Sequence, residues 1–210
     1  MFPVLYPILD AGADPASIVP LAETLAGAGA TLLQFRAKRA TPRAVFEVAR
    51  ELSSQLAARG IKIIVNDRPD IALLSGAAGV HLGQEDISVE EARRICGYGM
   101  WVGVSTHNIK QLRLAEGTSA DYIAVGPIFP TGTKENPDPV VGLEFLLAAR
   151  TTTKKPLVAI GGITVESAEQ VYRAGADSIA VIRDLSSAAD PAARFKEYLR
   201  IAARARASRS

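Results

Sequence analysis

The chain is short of cysteine, of net charge and of long apolar runs. Its single cysteine, Cys96, has no second thiol to join, which excludes an intramolecular disulfide and fits a reducing compartment. Cys96 ends the amphipathic stretch EEARRICG and reads as helix packing, not as a thiol nucleophile. No window of about eighteen apolar residues is present to cross a bilayer. The N-terminal stretch MFPVLYPILDAGADP lacks the basic, apolar and small-residue succession of a signal peptide, so the expectation is a cytoplasmic protein with no membrane partner. The formal net charge of +2 offers no general attraction to nucleic acid. The basic stretch RIAARARASRS reads as the end of a solvated helix, fraying from about residue 205.

What is present is an ordinary soluble composition, 48% hydrophobic and 22% charged over 210 residues, enough for one sizeable core. Short apolar runs rich in β-branched residues alternate with segments of helical period, and the alternation occurs eight times. The strands are expected at 4–9, 31–36, 61–66, 78–82, 101–105, 121–126, 156–161 and 177–182. Most are continuously apolar, as befits parallel strands buried on both faces. Helices are expected near 16–28, 41–58, 69–75, 88–96, 108–116, 142–149, 164–173 and 190–204. Asp14-Pro15, Thr41-Pro42 and Asp190-Pro191 each set a capping side chain before a proline suited to the first helical turn. GAGA, GAAG and RAGAD supply glycines for helix C-caps. Eight βα units without a dividing linker predict an α/β fold, a single (β/α)8 TIM barrel over 1–210.

In such a barrel the active site lies at the C-terminal ends of the strands, so polar residues there carry the chemistry. Strand two ends in Gln34-Phe35-Arg36-Ala37-Lys38, two cations and an amide suited to a polyphosphate. Strands three and four end in Asn66-Asp67-Arg68 and His81-Leu82-Gly83-Gln84-Glu85-Asp86. Asp67 and Asp86 fit Mg²⁺, which takes one or two carboxylates together with substrate phosphate oxygens; Asp67 is equally able to cap the following helix. Strand five delivers Ser105-Thr106-His107, and His107 either takes part or, with Asn108, opens helix five. The loop after strand six carries Thr131, Gly132, Thr133 and Lys134, the groups wanted for closing over an anion. Strand seven runs into Gly161-Gly162 and strand eight into Ile182-Arg183, where such barrels commonly cradle phosphate.

The motifs QFRAK, VNDR, GVHLGQEDI, GVSTH, DYIAVGPIFPTGTK and VAIGGIT, in this order, resemble the thiamine phosphate synthase (thiamine-phosphate pyrophosphorylase) family along the chain. The resemblance implies a condensation of 4-amino-2-methyl-5-hydroxymethylpyrimidine diphosphate with a thiazole phosphate, releasing pyrophosphate. It implies that Gln34, Arg36, Lys38, Asn66, Ser105 and Lys134 hold the pyrimidine diphosphate, with Arg36, Ser105 and Lys134 in catalytic roles. Asp67 and Asp86 would bind Mg²⁺. Thr131, Thr133, Gly162, Ile182 and the residue at 183 would hold the thiazole phosphate. In the family the pyrophosphate leaves first and the thiazole nitrogen attacks the resulting cation; a homodimer is the family expectation for assembly. The attacking nitrogen has no proton to lose, so no general base is demanded, in keeping with a chain of only two histidines. The sequence departs from the family at 183, where Arg stands in place of the usual Ser.

Two other functions fit the same fold: a thiazole tautomerase, which needs no Mg²⁺–pyrophosphate site, and a non-catalytic sensor of thiamine precursors. The joint presence of Arg36, Lys38, Asp67, Asp86 and Lys134 favours the synthase.

Overall fold

Parallel strands buried on both faces form where apolar runs recur between amphipathic helices, and eight of them here close on themselves. The computed structural model describes residues 2–132 and 138–207. The strands are β1 (Leu5–Asp10), β2 (Leu32–Arg36), β3 (Lys62–Asn66), β4 (Gly79–Leu82), β5 (Trp101–Thr106), β6 (Tyr122–Val125), β7 (Leu157–Ile160) and β8 (Ser178–Val181). They pair in chain order, and β8 pairs back onto β1, giving a closed (β/α)8 barrel. Around it lie α1 (Val19–Gly27), α2 (Pro42–Ala57), α3 (Pro69–Leu74), α4 (Val89–Cys96), α5 (Ile109–Glu116), α6 (Gly142–Thr152) and α7 (Val165–Arg173). After β8 come a short α8 (Arg183–Ser186) and the long α9 (Pro191–Ala207). Among the described residues no helix is long and apolar enough to cross a membrane.

The three expected proline-flanked caps form. Asp14 accepts from Ala16 N at 3.1 Å, Thr41 from Ala44 N at 3.3 Å and Asp190 from Ala193 N at 2.9 Å. The first helix departs from the expected continuous span over 16–28. It opens as a 3-10 turn, Pro15–Ile18, and restarts at Val19, because Pro20 lacks an N–H and is tolerated only in a first turn. The expected fraying from about 205 is also corrected. Helix α9 continues to Ala207, Ala205 is fully buried, and Arg206 Nη2 donates to Asp177 O at 2.8 Å.

Two cores result from the strand period of two. One set of side chains packs outward under the helices. The other fills the barrel: Tyr6, Ile8, Leu32, Ile64, Tyr122, Ala124, Val158 and Ala180, with Phe2 and Trp101 stacked at 5.5 Å. The side chains that follow in the inward register, at the C-terminal ends of the strands, are the ones available for chemistry.

Candidate active site

Counting by twos from the interior core predicts which side chains line the mouth. Ile8 leads to Asp10, Leu32 to Gln34 and Arg36, and Ile64 to Asn66. In the register of the sheet Asn66 lies beside His81, and His81 beside Gly103, two residues before Ser105. These strand ends surround a cavity of about 570 Å³. Of the expected substrate-binding residues, Gln34, Arg36, Asn66 and Ser105 line one part of it, and Thr131, Gly162, Ile182 and Arg183 another. Thr133 and Lys134 lie outside the described residues. Lys38, Asp67 and Asp86 do not line the cavity; Asp67 directly follows the cavity-lining Asn66, and Lys38 and Asp86 both contact Asp67.

The acidic pair is close. Burial pushes the Asp67 carboxyl above the usual carboxylate range; Asp86 pushes it further, as hydrogen-bond partner and as like charge, while Lys38 opposes both. Lys38 Nζ stands 3.0 Å from Asp67 Oδ2, and Asp86 Oδ2 accepts from Gly83 N–H at 2.6 Å. Asp67 has φ 63°, a left-handed backbone unusual outside glycine, and its N–H donates to His81 O at 2.8 Å. Helix α3 begins after Arg68, whose side chain makes no cap bond, so Asp67 is not its N-cap. A partly buried Asp67 carboxylate in contact with a second carboxylate, Asp86, suits a hard divalent cation. Among the described residues no group of three or more His, Cys, Asp or Glu gathers, so a cation here would need further oxygens from a ligand.

Arg36 is held by Asp10, its register partner across β1 and β2, in a partly buried ion pair. Asp10 is a site residue the sequence reading missed, because it ended strand one at residue 9; the polar residue closing an apolar barrel strand was the available signal. Asp138, Asp184 and Arg194 were missed as well. Asp138 faces His107 Nε2 at 3.4 Å, and Asp184 pairs with Arg194 at 3.3 Å and accepts from Tyr198 Oη at 2.6 Å. They come from a loop and two late helices, out of register with any strand. His107 Nδ1 meets the Gly126 carbonyl at 2.6 Å, while Asn108 caps α5, so both expectations for that pair hold something: His107 faces the cavity and Asn108 opens the helix.

The Gly161-Gly162 pair proves to be a packing requirement. Both glycines have positive φ, and a Cβ would lie 2.5 Å from Pro127 Cβ at Gly161 and 2.5 Å from Pro130 O at Gly162. The loop after β6 therefore rests directly on the loop after β7, bringing Thr131 to the same cavity as Ile182 and Arg183. Among the described residues the Arg183 side chain makes no hydrogen bond or ion pair, and its Nη2 lies 3.3 Å from where a Cβ would stand at Gly132.

An open barrel mouth lined by arginines, with an acidic pair beside it, is matched by sequence kinship. The sequence profile of the thiamine monophosphate synthase family matches residues 5–185. The chain is 49% identical to the thiamine-phosphate synthase of Koribacter versatilis over 95% of each chain. It is 42% identical to that of Chloroflexus aurantiacus, over 92% of this chain and 89% of the other. The solved thiamine phosphate pyrophosphorylase from Pyrococcus furiosus superposes with a TM-score of 0.83 at 33% identity, covering 96% of both chains. With kinship of this extent and a barrel of the same shape, the chain belongs to the thiamine monophosphate synthase family, transferases of thiamine biosynthesis.

Proposed function

We propose that this chain condenses 4-amino-2-methyl-5-hydroxymethylpyrimidine diphosphate with a thiazole phosphate, with Mg²⁺, giving thiamine phosphate and pyrophosphate. The observation that carries the reading is the convergence of Gln34, Arg36, Asn66 and Ser105 on one cavity with the Asp67–Asp86 pair beside it. Arg36, fixed by Asp10, grips diphosphate oxygens, and Lys38 adds a second cation as the pyrophosphate takes up charge. Asp67 and Asp86 would hold Mg²⁺, whose positive charge would be supplied where the pyrophosphate departs. Cations already in place stabilise the leaving group more in the transition state than before it, so they raise the rate and not only the affinity. Lys134 and Thr133 enter this reading through the family resemblance alone.

The second substrate fits the other half of the cavity. Thr131, Gly162, Ile182 and Arg183 bracket a space that accepts a phosphate, with the Arg183 guanidinium supplying the charge that the family's usual Ser lacks. The enzyme is read as cytoplasmic, acting on small molecules with no nucleic-acid partner; the homodimer rests on the resemblance, and gel filtration would test it.

Mixing both substrates with Mg²⁺ and assaying thiamine phosphate and pyrophosphate tests the reading. Both products should appear, and omitting Mg²⁺ or the pyrimidine diphosphate should abolish them. Isomerisation of the thiazole phosphate alone would identify a tautomerase. Binding without turnover would identify a sensor.

A further inference from the structure

A line of hydrogen bonds crosses the floor of the cavity. Gln34 Nε2 donates to Tyr6 Oη at 3.0 Å, and Tyr6 Oη lies 2.9 Å from Tyr122 Oη. Tyr122 Oη lies 3.0 Å from His81 Nδ1, and His81 Nε2 lies 2.9 Å from Ser105 Oγ. Both ends of the line, Gln34 and Ser105, face the cavity, whereas both tyrosines are buried to 1% exposure or less. The tyrosine ring reaches its partner because Gly103 stands between His81 and Tyr122 in the sheet register. A Cβ at Gly103 would fall 2.0 Å from Tyr122 Cζ.

Each hydroxyl has one proton to donate, so the direction at one end sets every direction along the line. The Gln34 N–H donates, so Tyr6 Oη accepts and gives its own proton to Tyr122. Tyr122 then donates to His81 Nδ1. An imidazole accepting at Nδ1 carries its proton on Nε2, which donates to Ser105 Oγ. The Ser105 proton is left directed away from the line, and Gln34 Oε1 is left as an acceptor at the other end. Burial pushes the pKa of both tyrosines up and so suppresses their ionisation, which keeps them as donors. The other histidine is set the opposite way: the Gly126 carbonyl can only accept, so His107 carries a proton on Nδ1.

We propose that Tyr6 and Tyr122 are positioning residues that hold His81 as its Nε2–H tautomer, so that the cavity offers an acceptor at Gln34 and a hydroxyl donor at Ser105. This rests on the proposed function for its ligand. An aminopyrimidine edge carries an N–H donor beside a ring-nitrogen acceptor, which is the complement of that pair.

The experiment is nitrogen NMR of the full chain with ¹⁵N-labelled histidine, without substrate, followed by kinetics of Tyr122→Phe and Tyr6→Phe. In the unmodified protein His81 should show Nδ1 unprotonated and Nε2 protonated, with His107 protonated at Nδ1. Tyr122→Phe should shift His81 toward the Nδ1–H form. It should also raise KM for the pyrimidine diphosphate roughly 2- to 12-fold, the range for one neutral hydrogen bond, with KM for the thiazole phosphate within about twofold. Tyr6→Phe should raise the same KM and weaken the Nε2–H preference of His81, since the direction set at Gln34 no longer reaches Tyr122. An Nδ1–H His81 in the unmodified protein would mean the line runs in reverse and would overturn the proposal. So would a tautomer indifferent to Tyr122→Phe, or an equal rise in both KM values. The unmodified protein alone decides the tautomer, even where a variant fails to fold. Absence of thiamine phosphate formation would instead strike the proposed function and leave the tautomer result standing.

Discussion

Asp67 is the one non-glycine residue with positive φ among the described residues, and it is also a carboxylate whose ionisation burial opposes. Its folded-state pKa is raised, chiefly by burial, so the stability it contributes is complete below the unfolded value and is lost as pH rises through the folded value. Above its folded-state value and without a cation, the ionised Asp67 carboxylate beside Asp86 therefore weighs against folding. Asparagine tolerates the left-handed conformation, so Asp67→Asn keeps the backbone. The expected outcome in metal-free buffer near neutrality is a melting temperature equal to or above that of the unmodified protein, the gap narrowing as pH falls into the carboxylate range. The Mg²⁺ concentration for half-maximal turnover should rise by roughly tenfold or more, the scale already seen on losing an outer-shell partner of a metal. An unchanged Mg²⁺ titration would remove Asp67 from the metal site. Arg183 supports a second test. Its cation is unpartnered among the described residues, so Arg183→Ser should raise KM for the thiazole phosphate about three- to tenfold, the scale of one exposed charge-assisted bond, and leave the pyrimidine diphosphate unaffected. Running carboxylated and decarboxylated thiazole phosphates in parallel shows whether Arg183 also selects between them.

At the scale of elements, one clamp is built twice. Arg93 of α4 pairs with Asp121 just before β6, and Asp121 accepts from Val102 N at 2.7 Å. Arg150 of α6 pairs with Asp177 just before β8, and Asp177 accepts from Leu157 N at 2.9 Å. Each aspartate thus ties a helix to the start of two adjacent strands, and the local sequences Asp121-Tyr122-Ile123-Ala124-Val125 and Asp177-Ser178-Ile179-Ala180-Val181 repeat accordingly. Arg93 is 5% exposed and also donates to the carbonyls of Gly97, Met100 and Ser119. Asp121→Ala should cost about 2 kcal/mol in denaturant unfolding. That falls below the about 3–5 kcal/mol for stripping a buried pair, because the carbonyls remain and Asp121 itself is partly exposed. Stability within error of the unmodified protein would show that the carbonyls alone hold Arg93. The strands and most helices were legible because apolar runs and proline-flanked caps are local. The break of the first helix at Pro20 was not, since the periodic pattern continues through it.

For the molecule as a whole, closure of β8 onto β1 leaves no strand edge free, so each strand shares its hydrogen bonds with two neighbours. Ligand at the mouth touches several strands at once and should stabilise the barrel as a unit. Pyrophosphate with Mg²⁺ at about a hundred times its dissociation constant should add about 2.7 kcal/mol, a rise of roughly 5–10 °C in one cooperative transition. Two separated transitions, or no shift at saturation, would contradict a single site spanning the strand ends.

Local order along the chain was enough to settle the eight βα units, the caps and the strand-end positions of Gln34, Arg36, Asn66 and Ser105, since a period of two needs only neighbours in sequence. The pairing of Arg36 with Asp10, the contact of Asp67 with Asp86, the entry of Asp138, Asp184 and Arg194, and the line from Gln34 to Ser105 through two buried tyrosines belong to barrel closure. They depend on sheet register and on loops packed over glycines, and those are set by contacts between residues far apart in the chain.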